Sequence, residues 1–412
     1  MSAAGLHLIT PEYPPQAGGV SDYTRLVAEG LAAAGEEVHV WCPACEAGAA
    51  ESCDGARVSA SADGRVFVRR ELGGFSRRDL ARAGRLLDES PAPRRLLVQY
   101  VPHGYGRRSM NVGFCLWLWR RAALKGDRVE LMVHEPCLAF GEGSWRQTGA
   151  AAVHRLMIAV LLRAARRVWF SIPAWEDYWR PYAFGPPPSF GWLPVPATVP
   201  VADDPSLTAE VRARLRVSEG GVIVGHLGTY APPVRESLRR VLPALLSECA
   251  AASVLLLGRG GEGLRDELLS ARPELEGRVH ESGYLGAREL SAHLSACDLL
   301  VQPFPDGVST RRTSVMAALA HGRAVVTTRG RLTEELWGET GAVALGEDAA
   351  GLAREAARLL DAGPARARLG EAARALYRER FDLSHTLAAL RREPPAGEAP
   401  KTGRVHAGEE SR

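Results

Sequence analysis

Leu6-His7-Leu8-Ile9-Thr10-Pro11-Glu12-Tyr13-Pro14-Pro15-Gln16-Ala17-Gly18-Gly19 sets a short apolar run against a loop rich in proline and glycine. Beyond it Val20, Tyr23, Leu26, Val27 and Leu31 recur at helical spacing, with Ser21 and Asp22 where a first turn needs acceptors and Gly35 as a stop. The stretch reads as strand, loop and helix, the opening unit of a parallel α/β domain. Paired glycines ahead of a helix let the backbone approach a ligand closely, and the helix start offers N–H groups and a positive dipole end to an anion. Gly18 and Gly19 are therefore candidate contacts to a phosphorylated ligand. An ordinary strand-to-helix connection accounts for the same residues.

Alternation continues outward from this stretch. Strands are expected at 6–9, 37–41, 96–99, 129–133 and 167–170, with helices at 20–34, 77–87, 110–124 and 151–165. Pro186-Pro187-Pro188, Pro194, Pro196, Pro200 and Pro205 then break the rhythm and read as an interdomain connection. A second series follows, with strands at 222–226, 253–257, 279–282, 299–302 and 324–327. Helices are expected at 235–249, 261–270, 287–296, 313–320, 350–360 and 364–381. The expected organisation is a first doubly wound domain over 1–193, a linker over 194–207, a second domain over 208–391 and a disordered polar tail over 392–412. Two such domains facing across a cleft suit a two-substrate transfer, because closure brings the reactants together and excludes water.

At 412 residues the chain is long enough for two cores, and 46% hydrophobic with 24% charged residues is ordinary for a globular protein. A net charge of +3 gives no argument for nucleic acid as a partner. No charged segment followed by an apolar core opens the chain, and no stretch reaches the ~18 uninterrupted apolar residues of a spanning helix, so a cytoplasmic location is expected. Seven scattered cysteines fit reduced thiols. Cys42 and Cys45 have metal-like spacing with Cys53 nearby, but no second pair completes a site, and no metal is expected.

Several loops after strands carry groups with chemistry. Gly228-Thr229 and Gly258-Arg259-Gly260-Gly261 put small residues where phosphates bind in such folds, although glycine after a strand is common. Ser309-Thr310-Arg311-Arg312-Thr313-Ser314 is more specific, concentrating hydroxyls and two guanidiniums at a helix start, where Arg engages phosphate bidentately. A solvated, salt-bridged turn is the alternative. In the first domain His134-Glu135 and Gln99, with His103 just beyond, lie at the carboxyl ends of neighbouring strands. A histidine there can bond a sugar or phosphate or move a proton, or merely cap a strand end.

Four stretches carry a family resemblance: Pro14 to Val20, Val133-His134-Glu135, Val224 to Thr229, and Ala318-Leu319-Ala320-His321-Gly322-Arg323-Ala324-Val325-Val326-Thr327. Through them the chain resembles the GT-B glycosyltransferases, specifically the retaining group called family 4, over about residues 5–385. The resemblance implies two Rossmann-like domains, the first for a hydroxyl acceptor and the second for a nucleotide diphosphate sugar donor. It implies that Gly18 and Gly19 approach the donor diphosphate, that His134 lies near the transferred hexosyl unit, and that no metal or other cofactor is required. The leaving diphosphate would help take the acceptor proton in a front-face displacement. Polysaccharide, glycolipid or glycosylated-metabolite biosynthesis is the implied setting.

Departures from the family pattern are equally specific. The two glutamates that precede the Ala-x-Ala-x-Gly segment fall on Ser309 and Ala317, and the diphosphate-binding Arg and Lys fall on His226 and Pro232. Arg311 and Arg312, with Arg235 as a weaker candidate, are expected to restore the positive charge. The missing carboxylates also admit a non-catalytic scaffold that binds a sugar nucleotide or a partner enzyme. A pyridoxal-dependent phosphorylase is disfavoured, because Lys125 and Lys401 are the only lysines and neither follows a core strand. Arg107, Arg108, Phe114, Trp117, Trp119, Arg120, Arg121 and Lys125 form a basic, aromatic segment. Burial against the sheet and peripheral docking on the inner membrane face are its two readings.

Overall fold

The computed structural model describes residues 5–44, 58–60, 64–106, 109–138, 140, 145–215 and 220–392. Cys45, Cys53, Arg107, Arg108, Lys401 and the tail from 393 onward lie outside the described residues. The chain divides into two compact units, one running to Leu193 and rejoined by residues from Ala389, the other spanning Pro194–Ala388.

The first unit is built on β1 (Leu6–Ile9), β2 (Val38–Trp41), β3 (Val58–Ala60), β4 (Val66–Arg69), β5 (Arg95–Tyr100), β6 (Arg128–Val133), β7 (Ala165–Phe170) and β8 (Ser189–Trp192). Their order is β3-β4-β2-β1-β5-β6-β7-β8, parallel throughout except for the β3–β4 pair. Near-continuous apolar runs such as Leu96-Leu97-Val98 and Leu131-Met132-Val133 are fully buried, as strands covered on both faces must be. His7 is buried with them, accepts from Trp41 Nε1 at 3.1 Å, and is driven down to a pKa of about 3 by burial. It is a neutral core histidine.

The second unit carries β9 (Val222–Leu227), β10 (Ala252–Leu257), β11 (Val279–Glu281), β12 (Leu299–Gln302), β13 (Ala324–Thr328) and β14 (Ala344–Gly346). The sheet is wholly parallel in the order β11-β10-β9-β12-β13-β14, with Val254 beside Val224 and Val224 beside Leu299. Val224, Leu242, Leu256, Val301 and Leu359 belong to one buried cluster under the covering helices.

The proline-rich tract runs across the boundary between the two units, which falls at Leu193/Pro194. Ser189–Trp192 is a strand paired with β7, and the following residues are packed on the second unit. There Val195 N donates to Thr310 O at 3.0 Å, Ala202 N to Ser291 Oγ at 2.8 Å, and Asp204 caps a helix at Pro205–Arg214. Pro205 occupies the first helical turn, where its missing N–H costs nothing. At the other end Arg167 Nη1 donates to Arg392 O at 2.8 Å and Arg391 pairs with Glu36 at 3.0 Å, so residues 389–392 belong to the first unit, whereas the sequence placed the second domain's end at 391.

The basic, aromatic helix (Val112–Lys125) shows both characters on different faces. Phe114, Cys115 and Leu118 are buried, while Leu116, Trp119 and Leu124 are exposed. Arg121 is not part of any basic outer face: it is buried, bonded through Nε to Asp127 Oδ2 at 2.6 Å and through Nη1 to Asp88 at 2.8 Å. No helix among the described residues is long and apolar enough to cross a membrane.

Candidate functional site

In a doubly wound sheet a ligand crevice opens beyond the carboxyl ends of the strands, where strand order reverses. The first unit reverses between β1 and β5, the second between β9 and β12. Every candidate stretch follows one of these strands or an immediate neighbour.

In the first unit the loop after β1 is tied internally before the helix Gly19–Ala33 begins. Glu12 Oε1 accepts from Val20 N at 3.0 Å and Ser21 N at 2.9 Å, and Ser21 Oγ donates to Gln16 O at 2.6 Å. The expected free N–H groups at this helix start are thus partly occupied: a side-chain carboxylate already sits on the positive dipole end. A Cβ on Gly18 would fall 2.3 Å from Glu12 Oε1, so Gly18 is small because Glu12 is seated there. Gly19 faces open space, with no atom within 4 Å of where its Cβ would be.

His134 stands just past β6, its backbone N donating to Tyr100 O at 3.0 Å. Its Nε2 lies 2.8 Å from Gln99 Oε1, and the Tyr23 ring meets it edge-on with centroids 4.9 Å apart. With Gln99 Oε1 as acceptor, Nε2 carries the proton and Nδ1 keeps its lone pair. Burial lowers the pKa to about 4, so the ring is neutral at pH 7 and acts as a hydrogen-bonding group, not a cation. The Tyr23 hydroxyl and Gln99 Nε2 are buried with no hydrogen-bond partner among the described residues. His103 and Glu135 form a separate, exposed pair at 3.2 Å, and the Glu135 hydrogen bond raises the His103 pKa.

In the second unit the loops after β9 and β10 touch: a Cβ on Gly258 would lie 2.7 Å from Gly228 O, and Gly228 N donates to Leu257 O at 3.2 Å. Gly258 has φ +105°, a conformation that glycine adopts without strain. Thr229 is exposed at the tip. His226, where the family's arginine would fall, is buried, with its Nδ1 2.8 Å from Val301 O and a pKa lowered to about 4 by burial. It supplies no positive charge. Pro232 opens the helix Pro232–Glu248, and Arg235 is paired with Glu267 at 3.0 Å.

The loop after β12 is organised by a carboxylate that spacing did not reveal. Glu334 Oε1 accepts from Thr310 N at 2.9 Å and Thr310 Oγ1 at 2.6 Å, while its Oε2 accepts from Trp337 Nε1 at 2.8 Å. The Thr310 hydroxyl, expected to face a donor, is therefore committed to Glu334 and buried. Burial raises the Glu334 pKa, against the lowering effect of these hydrogen bonds. Ser309 is also buried, its Oγ without a hydrogen-bond partner among the described residues. Arg311, Arg312, Thr313 and Ser314 are half-buried at the start of the helix Thr313–Ala320. Arg311 lies 3.7 Å from Asp306, and the Arg312 guanidinium stacks 4.4 Å from the Phe304 centroid. Among the described residues no group of three or more His, Cys, Asp or Glu is arranged to hold a metal ion.

Sequence reasoning missed Glu12, Tyr23 and Glu334. Glu12 stood in the opening loop, but nothing in its spacing marked it as a cap; Tyr23 looked like a core position of a helix. Glu334 lies 24 residues beyond Thr310 and had no signal.

Residues 221–362 match the family model described as "Glycosyl transferases group 1". No curated protein sequence matches the chain. Among solved structures, the sucrose-phosphate synthase of Thermosynechococcus elongatus is 18% identical with a TM-score of 0.68, covering 94% of this chain and 97% of its own. HepE of Anabaena, solved in complex with UDP-glucose, is 16% identical with a TM-score of 0.64 over 93% and 98% of the two chains. WaaG, a glycosyltransferase involved in lipopolysaccharide biosynthesis, is 15% identical with a TM-score of 0.62 over 93% and 99%. At these identities the structural likeness establishes the fold, and the family match lies within the second unit. On the two together, residues 221–362 form a domain that matches the group 1 glycosyl transferases, and the chain has the two-domain GT-B fold of these structures.

Proposed function

We propose that the protein transfers a hexosyl unit from a nucleotide diphosphate sugar to a hydroxyl acceptor with retention of configuration. The observation that carries this reading is the convergence of Gly228-Thr229 and the Ser309–Ser314 loop on the carboxyl ends of β9 and β12, at the reversal point of the family-matched domain. The UDP-glucose complex of HepE supports the donor class. Arg311 and Arg312 hold the diphosphate with Thr313, Ser314 and the Gly228 backbone, and Ser309 gives a buried hydroxyl. Gly19 contributes backbone from its open position, and Gly18 contributes indirectly by admitting Glu12. His134 bonds the transferred sugar as a neutral group oriented by Gln99, while His103 and Glu135 lie on the acceptor side.

In the reaction the anomeric C–O bond to the diphosphate breaks, the acceptor oxygen bonds the same carbon, and its proton passes to the departing diphosphate. Negative charge grows on that leaving group, so preorganised guanidiniums and N–H donors supply the largest stabilisation. Polysaccharide, glycolipid or glycosylated-metabolite synthesis in the cytoplasm is the setting. Exposed Leu116, Trp119 and Leu124 beside Arg120 and Lys125 give a contact to the inner membrane face. Ser309 and Ala317, in place of the family's carboxylates, favour the second reading, a non-catalytic scaffold. Incubation with a panel of nucleotide diphosphate sugars and hydroxyl acceptors, with product detection, separates the two. Turnover supports transfer; selective binding without turnover on any acceptor supports the scaffold.

A further inference from the structure

The second unit has a cavity of about 370 Å³ lined by Asp298, Arg323, Arg366, Glu371 and Arg374. Asp298 and Arg323 immediately precede β12 and β13, so the cavity lies at the amino ends of these strands, opposite the Ser309–Ser314 loop. Four residues of β12 at ~3.3 Å each put roughly 13 Å of sheet between the two ends. Close approach builds it: a Cβ on Gly322 would meet Arg374 Nε at 2.6 Å, and one on Gly370 would meet Gly322 O at 2.3 Å.

Its charges do not balance. Arg323 donates to His321 O at 3.0 Å and Ser295 O at 3.1 Å, Arg366 to Leu359 O at 2.7 Å and Leu360 O at 2.9 Å, and Arg374 to His321 O at 3.0 Å. These carbonyls end helices, and they account for one side of each guanidinium. Among the described residues, none of the three arginines has a carboxylate within ion-pair distance. Asp298 is hydrogen-bonded to Arg212 at 2.9 Å and Ile223 N at 2.8 Å, so two lining carboxylates, Asp298 and Glu371, face three arginines and Asp298 is shared with a fourth. Burial is the largest cause that lowers the proton affinity of Arg323; the Arg374 and Arg212 guanidiniums act with it, and Cys297 and Asp298 act against it.

We propose that this cavity binds a small phosphate-bearing anion, at a site distinct from the donor loops. Its volume lies in the range of small-molecule pockets, and pinned guanidiniums with remaining N–H groups are preorganised for bidentate phosphate contacts. The proposal does not depend on glycosyl transfer.

Isothermal titration calorimetry of the full chain with inorganic phosphate, pyrophosphate and glucose 6-phosphate tests it. Saturable binding is expected, weakened at least tenfold in the R366A/R374A variant and retained in R311A/R312A. Because Arg366 and Arg374 also cap helices, A367E provides a second variant: it places a carboxylate on a lining helix and leaves every arginine–carbonyl bond in place. It too should bind at least tenfold more weakly, with its thermal midpoint preserved. Glucose 6-phosphate binding tighter than phosphate identifies a sugar phosphate, and equal affinities identify phosphate itself. No binding of any probe, or affinity unchanged in both cavity variants, overturns the proposal.

Discussion

Gly18→Ala isolates the coupling between the opening loop and its helix. At φ 177° the backbone there is extended and accepts alanine without strain, so any cost comes from the new Cβ. That atom would lie 2.3 Å from Glu12 Oε1 and 2.6 Å from its Cδ, which forces the carboxylate away from Val20 N and Ser21 N. Two hydrogen bonds to a charged acceptor at a helix start are lost, about 2–4 kcal/mol with allowance for partial solvation of the freed N–H groups. In an E12A background the clash is gone, and the same change should be neutral or stabilising by about 0.5 kcal/mol through the unfolded chain. A double-mutant cycle in urea, read by fluorescence of the buried tryptophans, should therefore give a coupling of about 2–4 kcal/mol. Amide exchange at Val20 and Ser21 should accelerate in G18A and in E12A alike. Equal costs of G18A in both backgrounds, with exchange unchanged, would refute the argument that Gly18 is small for the sake of Glu12.

Other expectations follow from the buried polar groups and the exposed helix face. Glu334→Ala strips the acceptor from Thr310 N, Thr310 Oγ1 and Trp337 Nε1, and should destabilise the second unit by about 3 kcal/mol, measured as a lowered urea midpoint with E334Q intermediate. Because the folded pKa of Glu334 is raised, its contribution to stability falls as pH rises through the carboxylate range; loss of this component in E334Q, by comparison of pH–stability curves, checks the sign. His7, at about 3, and His134 and His226, each at about 4, are protonated more readily in the unfolded chain. Each should cost about 1.4 kcal/mol per unit as pH falls from 6.5 towards 4, and imidazole NMR signals from the three that titrate near 6.5 would contradict this. W119E/L124E should abolish sedimentation with anionic vesicles while leaving the fold intact; no sedimentation of the unmodified chain removes the membrane contact.

The regular core of the fold was legible because its strands are apolar runs buried on both faces and punctuated by glycine and proline. Leu6–Ile9, Leu299–Gln302, Ala287–Ala296 and Thr313–Ala320 have the bounds their spacing predicts. Val66–Arg69 alternates buried and half-buried residues and Ser189–Trp192 is half-buried throughout, so neither has an apolar run to announce it. Asp204-Pro205 carried a helix-start signal that the surrounding prolines obscured. At the site, His134 and Gln99 could be placed because the end of a strand fixes position. The roles of Glu12, Tyr23 and Glu334 depend on side chains meeting across 8, 111 and 24 residues of chain, a relation set by packing that no local pattern encodes.

On the proposed function, the second unit holds a nucleotide diphosphate sugar on the loops after β9 and β12, with Arg311 and Arg312 supplying the charge that His226 does not. Calorimetric titration with UDP-, GDP- and ADP-linked sugars tests it most directly. Saturable binding of at least one, lost in R311A/R312A, is the predicted result. Binding of none, or binding undiminished by removal of both arginines, would contradict it.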